Sequence, residues 1–246
     1  SNNGQRVSIG NSKAVNQNIE ASKTSVFNTL IVPYGKRSEI VLSDGSKVWL
    51  NSGSKLVFPA TFLEGNREVY LEGEAIFDVT HNKNHPFIVK SKDQEITVLG
   101  TVFNVSNYAD DDKVYTVLKS GSINLRYKNN NFISSHTELK IIPNTLAIYN
   151  KDAKEISTKT VEVETYFSWR DGVFIFKNDP FKSIIKKLSR YYNVEVIIND
   201  KDLANHMFSG YLDVSQDLDH VMQTIKEAES SKFDYQLTTD NKLIIN

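Results

Sequence analysis

From about Val26 to Lys159 apolar residues recur at every second position, the spacing that puts alternate side chains on one face of an extended strand. The clearest run is Val69, Leu71, Gly73, Ala75, Phe77 and Val79, with Glu68, Glu72, Glu74 and Asp78 in the opposite phase, which predicts one buried face and one wet face. Ile40/Leu42, Val48/Leu50 and Leu56/Phe58 repeat the pattern on a shorter pitch, with Asp44-Gly45 and Asn51-Ser52-Gly53 between them as turn chemistry. The inward phase is even at Ile96 and Val98 and odd at Phe103 and Val105, which marks Gly100 as a bulge or bend. Short strands at regular spacing, with no helical pattern for about 130 residues, predict an all-β domain over residues 26–168. Periodicity leaves two architectures open, a sandwich and a solenoid-like stack of strands. Residues 1–25, rich in Asn, Ser, Lys and Gln, read as a disordered polar linker.

After Gly172 the period changes. Phe181, Ile184, Ile185, Leu188 and Tyr191 fall at helical spacing behind Asp179-Pro180, with Asp179 expected to cap the free N–H groups and Pro180 to open the first turn. Leu218, Val221, Met222 and Ile225 form a second stripe that begins 37 positions after Phe181, so the segment reads as an internal repeat. Strands at 173–176 and 194–198 flank the first helix, strands at 207–212 and 233–237 flank the second, and a last strand covers 242–245. The predicted fold is therefore mainly β plus α+β, with a small C-terminal domain over 169–246 (β-α-β, then β-α-β-β) and both helices on one sheet.

Charge and composition narrow the function classes. With 29 basic and 30 acidic residues the formal net charge is -1, which gives no overall attraction for nucleic acid or an anionic membrane surface. The chain has no cysteine, which excludes disulfides, thiolate metal sites and cysteine nucleophiles. No window approaches the roughly 18 to 20 apolar residues that span a bilayer. The first residue is Ser rather than Met, and the sequence is read as a fragment whose upstream part carries a membrane span.

Candidate chemistry is sparse. His81 and His85 are four apart, but the segment ends in Pro86 and reads as a turn between strands, unlike the helix that would aim both rings at one metal. Asp110-Asp111-Asp112 lacks the alternating oxygen ligands, central Gly and closing Glu of a calcium loop and reads as a hairpin tip. Glu68, Glu72, Glu74 and Asp78 would have to converge in a cleft to cleave a glycoside, whereas alternation spreads them along one outer face. Asn104-Val105-Ser106 matches a glycosylation sequon only by chance, since Val105 sits in the inward phase. Nucleophile elbow, Walker loop, dinucleotide fingerprint and His-Glu-x-x-His are all missing, so no catalytic, cofactor-binding or metal residue is assigned. Trp49 and Trp169 read as packing residues.

Several blocks together resemble the periplasmic region of FecR-type anti-sigma regulators of Gram-negative bacteria. Val32-Pro33-Tyr34-Gly35-Lys36-Arg37 and Leu42-Ser43-Asp44-Gly45-Ser46-Lys47-Val48-Trp49-Leu50-Asn51 are similar to the opening hairpin of that family's β domain. Leu71-Glu72-Gly73-Glu74-Ala75-Ile76-Phe77-Asp78-Val79 and Val98-Leu99-Gly100-Thr101-Val102-Phe103-Asn104-Val105 are similar to its later blocks, with Phe87-Ile88-Val89 between them. The Ser168-Trp169-Arg170-Asp171-Gly172 junction and the repeat after it resemble the C-terminal domain of such regulators, a relative of the secretin/TonB short N-terminal fold. The resemblance covers about residues 30–246.

It implies a relay without catalysis. A TonB-dependent outer-membrane receptor senses its ligand, its periplasmic signalling domain touches the regulator, and a cytoplasmic segment absent from this chain controls an extracytoplasmic-function sigma factor. This places the chain in the periplasm, anchored to the inner membrane by an upstream segment. Strand edges are the expected means of docking, at the strand 207–212 or near the junction, with Trp169, Phe208 and Tyr211 as candidate contact residues. A rival reading is a secreted carbohydrate-binding protein with Tyr70, Tyr108 and Tyr115 as an aromatic platform.

Overall fold

The computed structural model describes residues 7–8, 26–129, 136–228 and 233–246. Apart from Val7–Ser8, which pair as a short strand, the linker expected over 1–25 lies outside the described residues. The chain forms two compact units, one comprising Arg37–Val163 and the strands before Tyr34, the other Glu164–Asn246 with Tyr34–Lys36.

The first unit is all β. Its strands in chain order are β1 (Val7–Ser8), β2 (Phe27–Ile31), β3 (Ser38–Val41), β4 (Lys47–Leu50), β5 (Lys55–Pro59), β6 (Arg67–Asp78), β7 (Phe87–Lys90), β8 (Gln94–Val98), β9 (Val102–Asn107), β10 (Lys113–Ser120), β11 (Ile123–Lys128), β12 (His136–Ile141), β13 (Thr145–Asn150) and β14 (Glu155–Thr160). All belong to one curled sheet, and the long β6 organises it. The N-terminal half of β6 pairs with β5 and β7, and its C-terminal half with β4 and β9. One ladder then runs through β8, β11 and β12, the other through β10, β13 and β14. Their inward residues close on a single core that includes Leu56, Leu71, Phe77, Phe87, Phe103, Leu118, Leu125 and Tyr149. The architecture is thus sandwich-like, with β6 common to both layers.

The crossing occurs at Gly73, whose φ is +94°. A Cβ there would lie 2.7 Å from Ser54 Cα, and the Ser54 hydroxyl bridges the next residue, accepting from Glu74 N–H at 2.8 Å and donating to Glu74 C=O at 3.0 Å. Gly100 is a bend: it lies between β8 and β9, where the chain passes from one ladder to the other with His81 packed against it. Alternation holds for the core positions, but the opposite face of β6 is not uniformly wet. Ile76 is fully buried there, and Glu74 is half-buried, accepting from Asn51 Nδ2 at 2.9 Å and Asn104 Nδ2 at 3.2 Å.

The second unit contains α1 (Glu164–Phe167), a 3-10 turn over Ser168–Asp171, β15 (Val173–Pro180), α2 (Phe181–Tyr192), β16 (Glu195–Ile198), α3 (Lys201–Asn205), β17 (Met207–Asp213), α4 (Leu218–Ala228), β18 (Tyr235–Leu237) and β19 (Lys242–Ile245). The two helical stripes are where spacing predicts them, and Phe181, Ile184, Ile185, Leu188, Leu218, Val221, Met222 and Ile225 are all buried. Two expectations need correction. Asp179 does not cap α2: its carboxylate accepts from Lys177 N–H at 3.2 Å, and Pro180 holds the cap position with no side-chain bond, while Phe181 N–H donates to His206 C=O. Nor do the strands form the single sheet expected beneath both helices. The first strands of the two repeats, β15 and β17, pair antiparallel with each other, and the second strands, β16 and β18, flank β19 in a separate sheet. The repeat therefore gathers its first strands in one sheet and its second strands in another, a topology that hydrophobic periodicity does not encode.

Candidate functional site

The ribbon β15–β17 presents an exposed surface with unpaired strand edges. Val214 N–H donates to Gly172 C=O, which fixes the ladder: Phe174/Leu212 and Phe176/Gly210 are the pairs that exchange hydrogen bonds. The backbone groups of Ile175, Tyr211 and Asp213 consequently point away from the partner strand, and no further strand pairs with either edge among the described residues. Side chains alternate in the same way. Phe174, Phe176, Phe208 and Leu212 are buried, whereas Tyr211, opposite Ile175, is 76% exposed. Ile175, Phe176 and Tyr211 line an open groove of about 790 Å³ with Val173, Lys177, Asn178, Ser209 and Gly210. Asn178 adopts φ +54° at the register shift between Phe176 and Asp179, held by its N–H donating to Ser209 Oγ at 2.8 Å. At the far end of β17 a hydrogen bond from Ser215 holds the Asp213 carboxyl below its ordinary range, so the edge ends in a carboxylate.

Of the three candidate contact residues, Tyr211 alone is presented to solvent. Phe208 is 8% exposed and stacks on Phe181 at 4.9 Å, within the core of the unit. Trp169 is 5% exposed in the 3-10 turn. The groove adds Ile175, which sequence reasoning missed because Val173 to Phe176 is apolar at every position and hides which phase faces outward.

The other candidates do not converge on chemistry. His81 packs on Gly100, while His85 Nδ1 lies 2.7 Å from Gly65 C=O. Glu68 pairs with Lys90 at 2.6 Å and Glu72 with Lys55 at 3.9 Å, both on the outside of the sheet. Asn104 of the sequon is fully buried. Tyr108 is buried with its hydroxyl donating to Ser52 C=O, Tyr115 lies on the ladder that begins at β9, and Tyr70 faces out beyond β5, so the three form no common platform. Among the described residues no helix is long and apolar enough to cross a membrane.

Comparison with known proteins agrees on both units. Residues 28–124 match the family described as FecR protein, and residues 173–245 match that described as FecR, C-terminal. No curated protein matches the chain. Two crystal structures assigned to an anti-sigma factor of Parabacteroides distasonis ATCC 8503, at 1.65 and 2.50 Å resolution, are similar to it. The first is 26% identical with a TM-score of 0.79, the second 25% identical with a TM-score of 0.78, and each comparison covers 89% of this chain and 98% of the other. With an all-β unit and a β-α-β repeat each matching its counterpart, the chain belongs to the FecR family of anti-sigma regulators.

Proposed function

We propose that this chain is the periplasmic, non-catalytic relay of a membrane-anchored anti-sigma regulator, and that it receives its signal by docking the periplasmic signalling domain of a TonB-dependent outer-membrane receptor on the β15–β17 ribbon. An extracytoplasmic-function sigma factor is the output, controlled through a segment upstream of Ser1. The observation that carries the docking site is the coincidence at Tyr211 of an exposed aromatic ring and backbone groups directed at an open edge, opposite Ile175. Such an edge takes up an extended strand through main-chain hydrogen bonds, and alternate side chains give selectivity.

Titration calorimetry of the 246-residue chain with an isolated receptor signalling domain tests this reading. Tyr211→Asp is expected to weaken binding by roughly thirtyfold or more, the loss expected at an aromatic anchor, with an unchanged unfolding midpoint because the ring is exposed. Tyr70→Asp in the first unit serves as the control and should leave affinity unchanged. Equal affinity for the Tyr211→Asp variant would remove this docking surface. Absence of binding to any receptor domain, together with saturable binding of free glycans, would replace the relay with carbohydrate recognition.

A further inference from the structure

The edge strand β2 carries a second, independent surface. Val32 N–H donates to Ser54 C=O, and Ala60 N–H donates to Val26 C=O. Together with the register Phe27↔Pro59 and Ile31↔Lys55, these bonds assign the backbone groups of residues 26, 28, 30 and 32 to β5. The N–H and C=O groups of Phe27, Thr29 and Ile31 therefore point away from β5, at an edge that no strand pairs with among the described residues. Their side chains are exposed, Phe27 at 64% and Ile31 at 66%, as is that of Asn28, while Leu30 packs on the core and anchors the strand.

Edges of this kind are normally protected by charge. Two other edges of the sheet follow that rule: β12 carries Glu138 and Lys140, and β14 carries Glu155 and Lys159. Even the outer face is charged across β7, β8, β11 and β12, where the register sets Lys90, Glu95, Arg126 and Glu138 side by side with alternating sign. The strand β2, Phe-Asn-Thr-Leu-Ile, has no charge and continues outward into Val57 and the exposed Tyr70.

We propose that β2 is a homotypic interface, pairing antiparallel with β2 of a second copy about a two-fold axis through Thr29. The choice of a second copy rests on self-complementarity. With Thr29 opposite its own mate, Phe27 faces the mate's Ile31 and Ile31 faces its Phe27. All three positions carry outward-directed N–H and C=O groups, so every pair exchanges both hydrogen bonds. An aromatic ring opposite a β-branched side chain is also a favourable cross-strand pair. An interface that passes through a two-fold axis must be the same patch on both partners, and this strand meets that condition in backbone and side chains alike.

Single cysteines test the axis directly, because the chain has none of its own. Residues in a hydrogen-bonded antiparallel pair have Cα atoms about 5.5 Å apart, within the range a disulfide spans. Under mild oxidation the whole chain carrying Thr29→Cys is expected to become a covalent dimer, while Asp152→Cys, also exposed, in the β13–β14 turn, stays monomeric. Adding Thr29→Cys to Phe27→Lys should prevent the cross-link, and adding Ile31→Glu as well should restore it in a salt-sensitive way, since residue 27 then meets a carboxylate on the mate. Cross-linking of Thr29→Cys no faster than Asp152→Cys overturns the proposal. So does a sedimentation dimer that persists in Thr29→Pro, which removes an N–H from the open edge and none from the β2–β5 ladder.

Discussion

Replacing Gly73 by alanine is expected to cost the first unit about 3 kcal/mol of stability, seen as a lower urea midpoint with an unchanged slope. Two costs add. The backbone is at φ +94°, where a β-carbon is disfavoured by roughly 1–2 kcal/mol. The new methyl would also stand 2.7 Å from Ser54 Cα and 2.5 Å from its Oγ, and forced overpacking costs about 1–3 kcal/mol. Ser54 has little freedom to withdraw, since its hydroxyl holds both the N–H and the C=O of Glu74 and its own C=O accepts from Val32. Gly65→Ala is the matched comparison: φ is +109° there, but nothing lies within 4 Å of the added carbon, so only the backbone cost remains. If the two variants lose equal stability, close approach at the β6 crossing is not what demands glycine.

The two glycines also mark how far the sequence could be read. Alternation places Val69, Leu71, Ala75 and Phe77 in the core, and all four are buried. Gly73 falls in the same phase and looks like one more small inward residue, although it is the point where the strand leaves one ladder for the other. Its partner Ser54 is 19 positions away in sequence and is recognisable only once the strands are paired. Glu74 reads as a solvated acid for the same reason, because Asn51, just past the end of β4, and Asn104 in β9 meet it from either side of β6.

In the C-terminal unit the helices were legible because four or five apolar residues fix a helical face. The sheets were not, because pairing β15 with β17 and β16 with β19 is a matter of connectivity between segments of equal hydrophobicity. Which face of β17 is exposed was half legible. Phe208 and Tyr211 are three apart, so on a strand they must face opposite ways, and only one can be presented to a partner. Which one faces out depends on where α2 lies: Phe208 stacks on Phe181, leaving Tyr211 exposed.

Arg67→Met is expected to destabilise the first unit by about 3–5 kcal/mol, the usual result of removing one partner from a buried ion pair. Arg67 is the first residue of β6 and shares the inward phase of Val69 and Leu71, a place where an unpaired charge is costly. Its guanidinium lies 2.6 Å from an Asp44 carboxylate oxygen and donates to the carbonyls of Thr80 and His85, with the Phe87 ring 5.4 Å below. Asp44 in turn accepts from the Ser46 N–H and hydroxyl, and Ser46 Oγ accepts from Thr80 N–H. One side chain thus ties the β3–β4 turn to the β6–β7 connection. Its loss would leave a largely buried carboxylate and two carbonyls without that donor. Asp44→Asn should cost less, since an amide oxygen can still accept from Arg67 and Ser46. The double variant should lose less than the sum of the two singles, because Arg67→Met already strands the charge that Asp44→Asn removes. Strict additivity, or a loss below about 1 kcal/mol for Arg67→Met, would mean that the turn is held by its backbone bonds and that this cation is a passenger in the core.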